Sequence, residues 1–324
     1  MSKVFVLCFG FILLIALAFW VTPWPMTMII RWMFNAGSYR TSLALTPQVP
    51  TNVNERLNLS YDDSDRKALL DIFSPDLTRK NLPTVFWLHG GGFISGSKED
   101  LKNYAKILSS KGINVVVIDY RIAPEDIYPT PVKQALLALD FLNRNSDRLN
   151  LDMSKLFLAG DSAGSQLAGQ VANIITNTEY AKSMGMTSSV TVNQLKGLIL
   201  YCGIYDASSF AGKATYAQKT LMWSYFGSKD LKDDKRIKDF SVTANMTKSF
   251  PPFFVSAGNK DPLEKQSRAL AERAEQLGVN VEKLFFEQDQ TPLAHEYQFD
   301  LALPEAREAL FRSVEFVYRI TPGE

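Results

Sequence analysis

The chain has 324 residues, 46% hydrophobic and 21% charged, enough for one large α/β domain or two ordinary ones and too apolar for general disorder. Its 35 basic and 34 acidic side chains leave a net charge of +1, which excludes the basic footprint of a nucleic-acid-binding surface. Two cysteines (Cys8, Cys202) and two histidines (His89, His295) are too few and too scattered for a metal-binding cluster.

The first element in chain order is VFVLCFGFILLIALAFWV, residues 4–21, without a single charge. At about 1.5 Å per residue it nearly matches a hydrocarbon core of about 30 Å. Trp20 and Trp24 stand near its end, where interfacial aromatics belong. Residues 1–21 are therefore expected to be a single-pass N-terminal membrane anchor, with the lipid bilayer as partner and the side of the membrane undetermined. Ala16-Leu17-Ala18 also has the small-x-small form of a cleavage site, so a signal peptide of a secreted or periplasmic protein stays open, as does a buried helix. Residues 22–49 read as a linker and a cap helix. Pro23 and Pro25 break the apolar run, and MTMIIRWMFNAG predicts a helix that ends near Gly37 and covers part of a pocket.

Residues 50–324 read as one domain. ERLNLSY and KALLDIFSP predict two edge strands, and TVFWLHGGGF a buried strand that stops at glycines. Helical KEDLKNYAKILSSKG, the β-branched strand INVVVIDY and helical TPVKQALLALDFLNRN follow. KLFLAGDSAG is strand and turn, SQLAGQVANIITN helix, LKGLILYCGIYD and PPFFVSAGNKD buried strands. LEKQSRALAERAEQLG, VNVEKLFFEQ and PEAREALFRSVEFVYRI close the chain as helix, strand, helix. This alternation, with continuous apolar strands, predicts an α/β fold: a mostly parallel sheet with helices on both faces. The pattern lapses at about 207–249, where an aromatic and then charged stretch predicts an insertion over the sheet. Cys202, in a strand, reads as a small buried hydrophobe.

Two glycine turns fall at strand ends, where such sheets bind ligands. In GDSAG, Ser162 lies between Gly160 and Gly164 at a strand-to-helix junction, the context in which a serine is held out on a sharp bend as a nucleophile. The N–H of Ala163 is then positioned to bind a developing oxyanion. In HGGGF, residues 89–93, three glycines expose backbone N–H groups. A phosphate loop is disfavoured, since no G-x-x-x-x-G-K-[ST] is present.

With HGGGF, DYRIAPE (residues 119–125), GDSAG and DPL (residues 261–263) in this order, the chain resembles the α/β-hydrolases of the hormone-sensitive lipase and arylacetamide deacetylase type, over roughly residues 50–320. The resemblance implies the α/β-hydrolase fold, with a cap built from the N-terminal region and the insertion. It also implies a serine esterase for short- to medium-chain acyl esters or acetylated small molecules, working without a cofactor. His89 and Gly90 would shape the glycine loop. Gly91, Gly92 and Ala163 would form the oxyanion hole, and Ser162, Asp261 and His295 the catalytic triad. His295 is the one histidine left for the base, and Asp261 matches the Asp-Pro-Leu motif; Ser, Asp, His is the expected chain order. Lys265, where a second acid is usual, and Glu296, where glycine follows the base, depart from the pattern and bear on substrate fit and local pKa. Amide deacetylation is the alternative chemistry. A non-catalytic ligand receptor is the alternative class, set against by retention of all three triad residues; a scaffold using only its anchor is a third. Asn58-Leu59-Ser60 and Asn245-Met246-Thr247 are sequons that matter only in a secretory lumen.

Overall fold

A computed structural model describes residues 3–207, 214–287 and 291–322. The insertion residues 208–213 and residues 288–290 of the last strand's exit lie outside the described residues. Eight strands form one sheet: β1 (Asn54–Ser60), β2 (Leu69–Ser74), β3 (Thr84–Leu88), β4 (Asn114–Ile118), β5 (Leu156–Asp161), β6 (Leu195–Tyr201), β7 (Phe253–Ala257) and β8 (Val281–Phe285). Their order is β1-β2-β4-β3-β5-β6-β7-β8. The hairpin β1–β2 runs antiparallel at one edge, and β3 to β8 are parallel.

The sheet is covered on both faces: its central strands β3, β4 and β5 are buried along their whole length, and their side chains alternate in destination. In β3, Phe86 and Leu88 enter one core while Val85 and Trp87 enter the other. In β5, Leu156 and Leu158 face the first core, Phe157 and Ala159 the second. The first core is closed by α4 (Thr130–Arg144), α6 (Ala163–Thr176) and α11 (Glu264–Gln276) through Leu139, Val171 and Leu270. The second is closed by α3 (Lys98–Ser109) and α12 (Pro304–Ile320) through Tyr104, Leu108, Leu310 and Phe316. Small helices α5 (Ser146–Leu149) and α7 (Thr178–Met184) fill connections.

The N-terminal region differs from its sequence reading in one respect. The break falls at Pro23 as expected, between α1 (Lys3–Val21) and α2 (Trp24–Leu45), with Pro25 in the first turn of α2, where its missing N–H costs nothing. However, α2 does not stop near Gly37. It runs two turns further, because Leu45 is buried in the second core and Asn103 Nδ2 of α3 donates to Ser42 O at 2.8 Å. That docking outweighs the roughly 1 kcal/mol cost of a helical glycine. Among the described residues no single helix is long and apolar enough to cross a membrane. Leu7–Val21 and Trp24–Gln48 pass that test together, as a pair bent by 79°.

In the insertion, the aromatic stretch forms α8 (Tyr216–Phe226), started by a Thr215–Gln218 capping box. The charged stretch forms α9 (Lys235–Phe240) and α10 (Val242–Asn245). Helix α8 packs on α2, and Thr27 Oγ1 and Ser224 Oγ share a buried hydrogen bond of 2.6 Å.

Candidate active site

Strand β5 ends at Asp161 and α6 begins at Ala163, so Ser162 alone makes the turn. Its backbone sits at φ 51°, ψ −116°, a conformation that costs of order 1–3 kcal/mol and persists only where its surroundings enforce it. Here Ser162 N donates to Tyr201 O at 2.9 Å, and Ser165 Oγ bridges Gly160 O (2.6 Å) and Tyr201 O (2.8 Å). The flanking glycines are required by close approach. A Cβ on Gly164 would run into the Leu88 carbonyl, and one on Gly160 into the backbone of Gly164 and Ser165.

Asp261 and His295 reach this serine from two other loops. Asp261 follows β7, its side chain fully buried; Oδ1 accepts from Leu263 N at 2.7 Å and Oδ2 pairs with His295 Nδ1 at 2.9 Å. His295 Nε2 lies 3.0 Å from Ser162 Oγ. The two loops are stitched by Asn259, whose Oδ1 accepts from Leu293 N (2.9 Å) and whose Nδ2 donates to Glu287 O (2.7 Å) and Thr291 O (3.1 Å). Lys260 N adds a bond to Leu293 O at 2.9 Å.

The imidazole is a third exposed. Burial works against its charged form, but the sulfur of Cys202, the hydrogen bond to Asp261 and the charge of Glu296 outweigh burial and hold its pKa well above the ordinary histidine value. Glu296, in the left-handed region at φ 60°, turns its carboxylate back to within 3.7 Å of Nε2. Cys202 is buried as expected from the sequence. Sequence reasoning missed that its sulfur falls beside His295: Cys202, Asp261 and His295 offer donor atoms within 4.8 Å of one another. Burial pushes the thiol up to about 11, against the imidazole beside it, which pulls it down. The carboxylate and both ring nitrogens are already committed to the serine relay, and the donor set does not fit a metal ion.

The second histidine has a different setting. His89 is buried, stacks on Tyr120 at 4.0 Å, and its Nδ1–H donates to Gly90 O at 2.7 Å. Burial lowers its pKa to about 4, so it stays neutral. Gly90 is squeezed between the carboxylates of Asp161 and Glu296, with no room for a Cβ. Asp161, next to the serine, accepts from Trp87 Nε1 at 2.8 Å; burial, and then Glu296, raise its pKa well above the carboxylate range. Gly91 and Gly92 both take positive φ, 107° and 61°. Gly91 O accepts from Ile94 N, Ser95 N and Ser95 Oγ, which tightens the loop. Lys265, by contrast, stands exposed on α11.

Gly91, Gly92, Ser162, Ala163 and His295 share one cavity of about 400 Å³, in the lower part of the range for small-molecule sites. Its remaining wall is mostly apolar: Met33 and Phe34 from α2, Leu221 and Met222 from α8, Ile204 and Leu263 from the sheet's ends. Among the described residues, Glu296 is its one charged lining residue apart from the imidazole.

A family model described as the α/β hydrolase fold matches residues 85–291, which include the glycine loop, Ser162 and Asp261 and stop just short of His295. Carboxylesterase NlhH of Mycobacterium tuberculosis is 29% identical over 259 residues, covering 76% of this chain and 77% of its own. The acetyl esterase of Salmonella paratyphi B is 24% identical over 252 residues, covering 74% and 68%. Among solved structures, inhibited esterase B from Lactobacillus rhamnosis superposes with a TM-score of 0.79 at 20% identity, over 92% of this chain and 97% of that one. An esterase from Pyrobaculum calidifontis gives 0.72 at 22% identity, over 92% and 94%. With the family match running through most of the sheet and three of the four loops that carry the glycines, Ser162, Asp261 and His295, the chain belongs to the α/β hydrolase fold family, in its hormone-sensitive-lipase-like branch.

Proposed function

We propose that Ser162, His295 and Asp261 act as the catalytic triad of a serine carboxylesterase for short- to medium-chain acyl esters or acetylated small molecules. The observation that carries this reading is the unbroken relay Asp261–His295–Ser162, 2.9 and 3.0 Å, ending on a serine in a strained turn. Asp261 fixes the Nδ1–H tautomer, which leaves Nε2 free to take the serine proton. Ser162 Oγ attacks the ester carbonyl, whose oxygen becomes negative and is held by the N–H groups of Gly91, Gly92 and Ala163. His295 passes its proton to the leaving alcohol. A water then gives a proton to His295 and attacks the acyl-serine, which releases the acid and restores Ser162. No cofactor enters these steps. The apolar cavity wall suits the acyl chain. Carboxylesterase and acetyl esterase relatives support the reaction class.

The test is Ser162→Ala. Hydrolysis of a p-nitrophenyl acyl ester should fall by about 10⁴-fold or more with the melting temperature kept, since Ser162 sits on a turn. Activity within tenfold of wild type would remove Ser162 from the mechanism.

The N-terminal region supports a second part of the reading: α1 inserts in a lipid bilayer and anchors the enzyme, through residues 4–21. The helix has 19 residues without an interior charge, and its described side chains are exposed almost all round, Phe9, Phe11, Leu13 and Leu14 among them. A helix apolar on every face needs apolar surroundings. The full chain should float with phosphatidylcholine vesicles in high salt, because such attachment is hydrophobic. Release by salt alone would refute it.

A further inference from the structure

We propose that the mouth of the active-site cavity faces the membrane, and that the enzyme draws its esters from the bilayer rather than from bulk water. The proposal rests on insertion of α1, as read above. The first observation is the bend of 79° between Leu7–Val21 and Trp24–Gln48. With α1 along the bilayer normal, α2 lies close to the membrane plane.

The second is the face that α2 turns outward. Ile29, Trp32, Met33, Tyr39 and Leu43 are exposed and recur at helical spacing, Trp32 the most open at 73%, and the one charge on this face is the exposed Arg40, long enough to reach headgroups. The opposite face is spent on the protein: Thr27, Ile30 and Leu45 are buried, and Arg31 pairs with Glu125 at 2.5 Å. A water-facing helix has the reverse arrangement, polar side out. This is the pattern of a helix lying in a membrane interface.

The third is where α8 is tied. Lys229, just past its end, donates to Trp20 O at 2.7 Å and sits over the Trp20 and Trp223 rings at 5.3 and 4.6 Å. An ammonium among indoles at the end of an apolar helix is headgroup-level chemistry. Thus both α2 and α8 are held at the lipid surface, and both line the cavity. Met33 and Phe34 line it while 58% and 38% exposed, so its rim is continuous with the outward apolar face. The partner is a lipid surface, and the substrate class is an ester apolar enough to partition into it.

The experiment uses the full chain with vesicles of phosphatidylcholine and a minority of phosphatidylglycerol. Wild type is compared with the double variant Ile29→Glu, Trp32→Glu, neither residue lining the cavity. Both proteins should float and cleave a water-soluble acetate ester equally. On a long-chain fluorogenic ester dissolved in the vesicles, the double variant should be slower by roughly tenfold or more, as charge on the interfacial face lifts the mouth off the lipid. Equal rates on both esters in a floating variant would overturn the proposal and leave the anchor standing. Failure of wild type to float would overturn the anchor itself. A wild-type dimer in detergent that the double variant dissociates would assign the face to a second copy, against the proposal. Should the double variant lose soluble-ester activity through misfolding, Trp32→Phe decides. Lipids brominated in the upper acyl chain should quench a smaller fraction of its emission than of wild type's; an unchanged fraction would contradict the proposal.

Discussion

The loop after β3 and the loop after β8 each carry one of the two histidines, both at the carboxyl end of the sheet, and they use it oppositely. His89 is sealed between Tyr120 and the glycine loop, has no carboxylate in hydrogen-bond reach among the described residues, and is held neutral, with its pKa down at about 4. His295 has Asp261 on one nitrogen, Ser162 on the other and Glu296 beside it, and its pKa is pushed up. Burial works against the charged form of both rings, fully for His89 and partly for His295, so burial alone does not decide the outcome. The opposite charges in reach do, and they separate an imidazole that braces a loop from the one proposed to move protons.

The contrast breaks first at His295. His295→Ala should cost about 10⁴-fold in kcat/KM on a soluble ester and remove the acid limb of the pH profile. A surviving acid limb in that variant would assign the base elsewhere. His89→Gln is the matched test. It loses the stacked ring and alters a loop hydrogen bond, worth about 1–3 kcal/mol of stability and at most about tenfold in rate through the Gly91 and Gly92 N–H groups. The melting temperature should drop while the acid limb stays in place; a moved limb would make His89 a titrating participant.

Glu296→Gln should have the smallest effect and sharpen the comparison most. His295 works as a base only when neutral, so its raised pKa places the acid limb above the pH of an ordinary histidine. Removing the Glu296 charge lowers that pKa, and the limb should move to lower pH, with the plateau rate little changed. A limb that stays, or moves up, would show that Glu296 does not act on the base.

Much of the contrast is legible in the sequence because the chemistry is punctuated. GDSAG and HGGGF stop apolar strands with residues that only a tight turn needs, and strand-turn-helix order gives Ser162 its role. Scarcity then singles out His295 as the proposed base. What stays hidden is carried by contacts between distant segments. Asn259 is one polar residue among many until β7 and β8 are side by side and it bridges their loops. Cys202 reads as core, and is core, yet the parallel order of β5, β6 and β7 also puts it against His295. Asp161 shows its partner only when β3 and β5 pair and bring Trp87 across. Helix α2 passes Gly37 because of docking on α3, which local propensity does not contain.

The central claim is that Ser162 is a nucleophile activated by His295, and covalent capture tests it most directly. The full-length protein is treated with a fluorophosphonate, and its intact mass and labelled peptide are measured. Wild type should gain a single adduct on Ser162, His295→Ala should label far more slowly, and Ser162→Ala should gain none. An adduct on another residue, or labelling of Ser162 that is as fast without His295, would contradict the account.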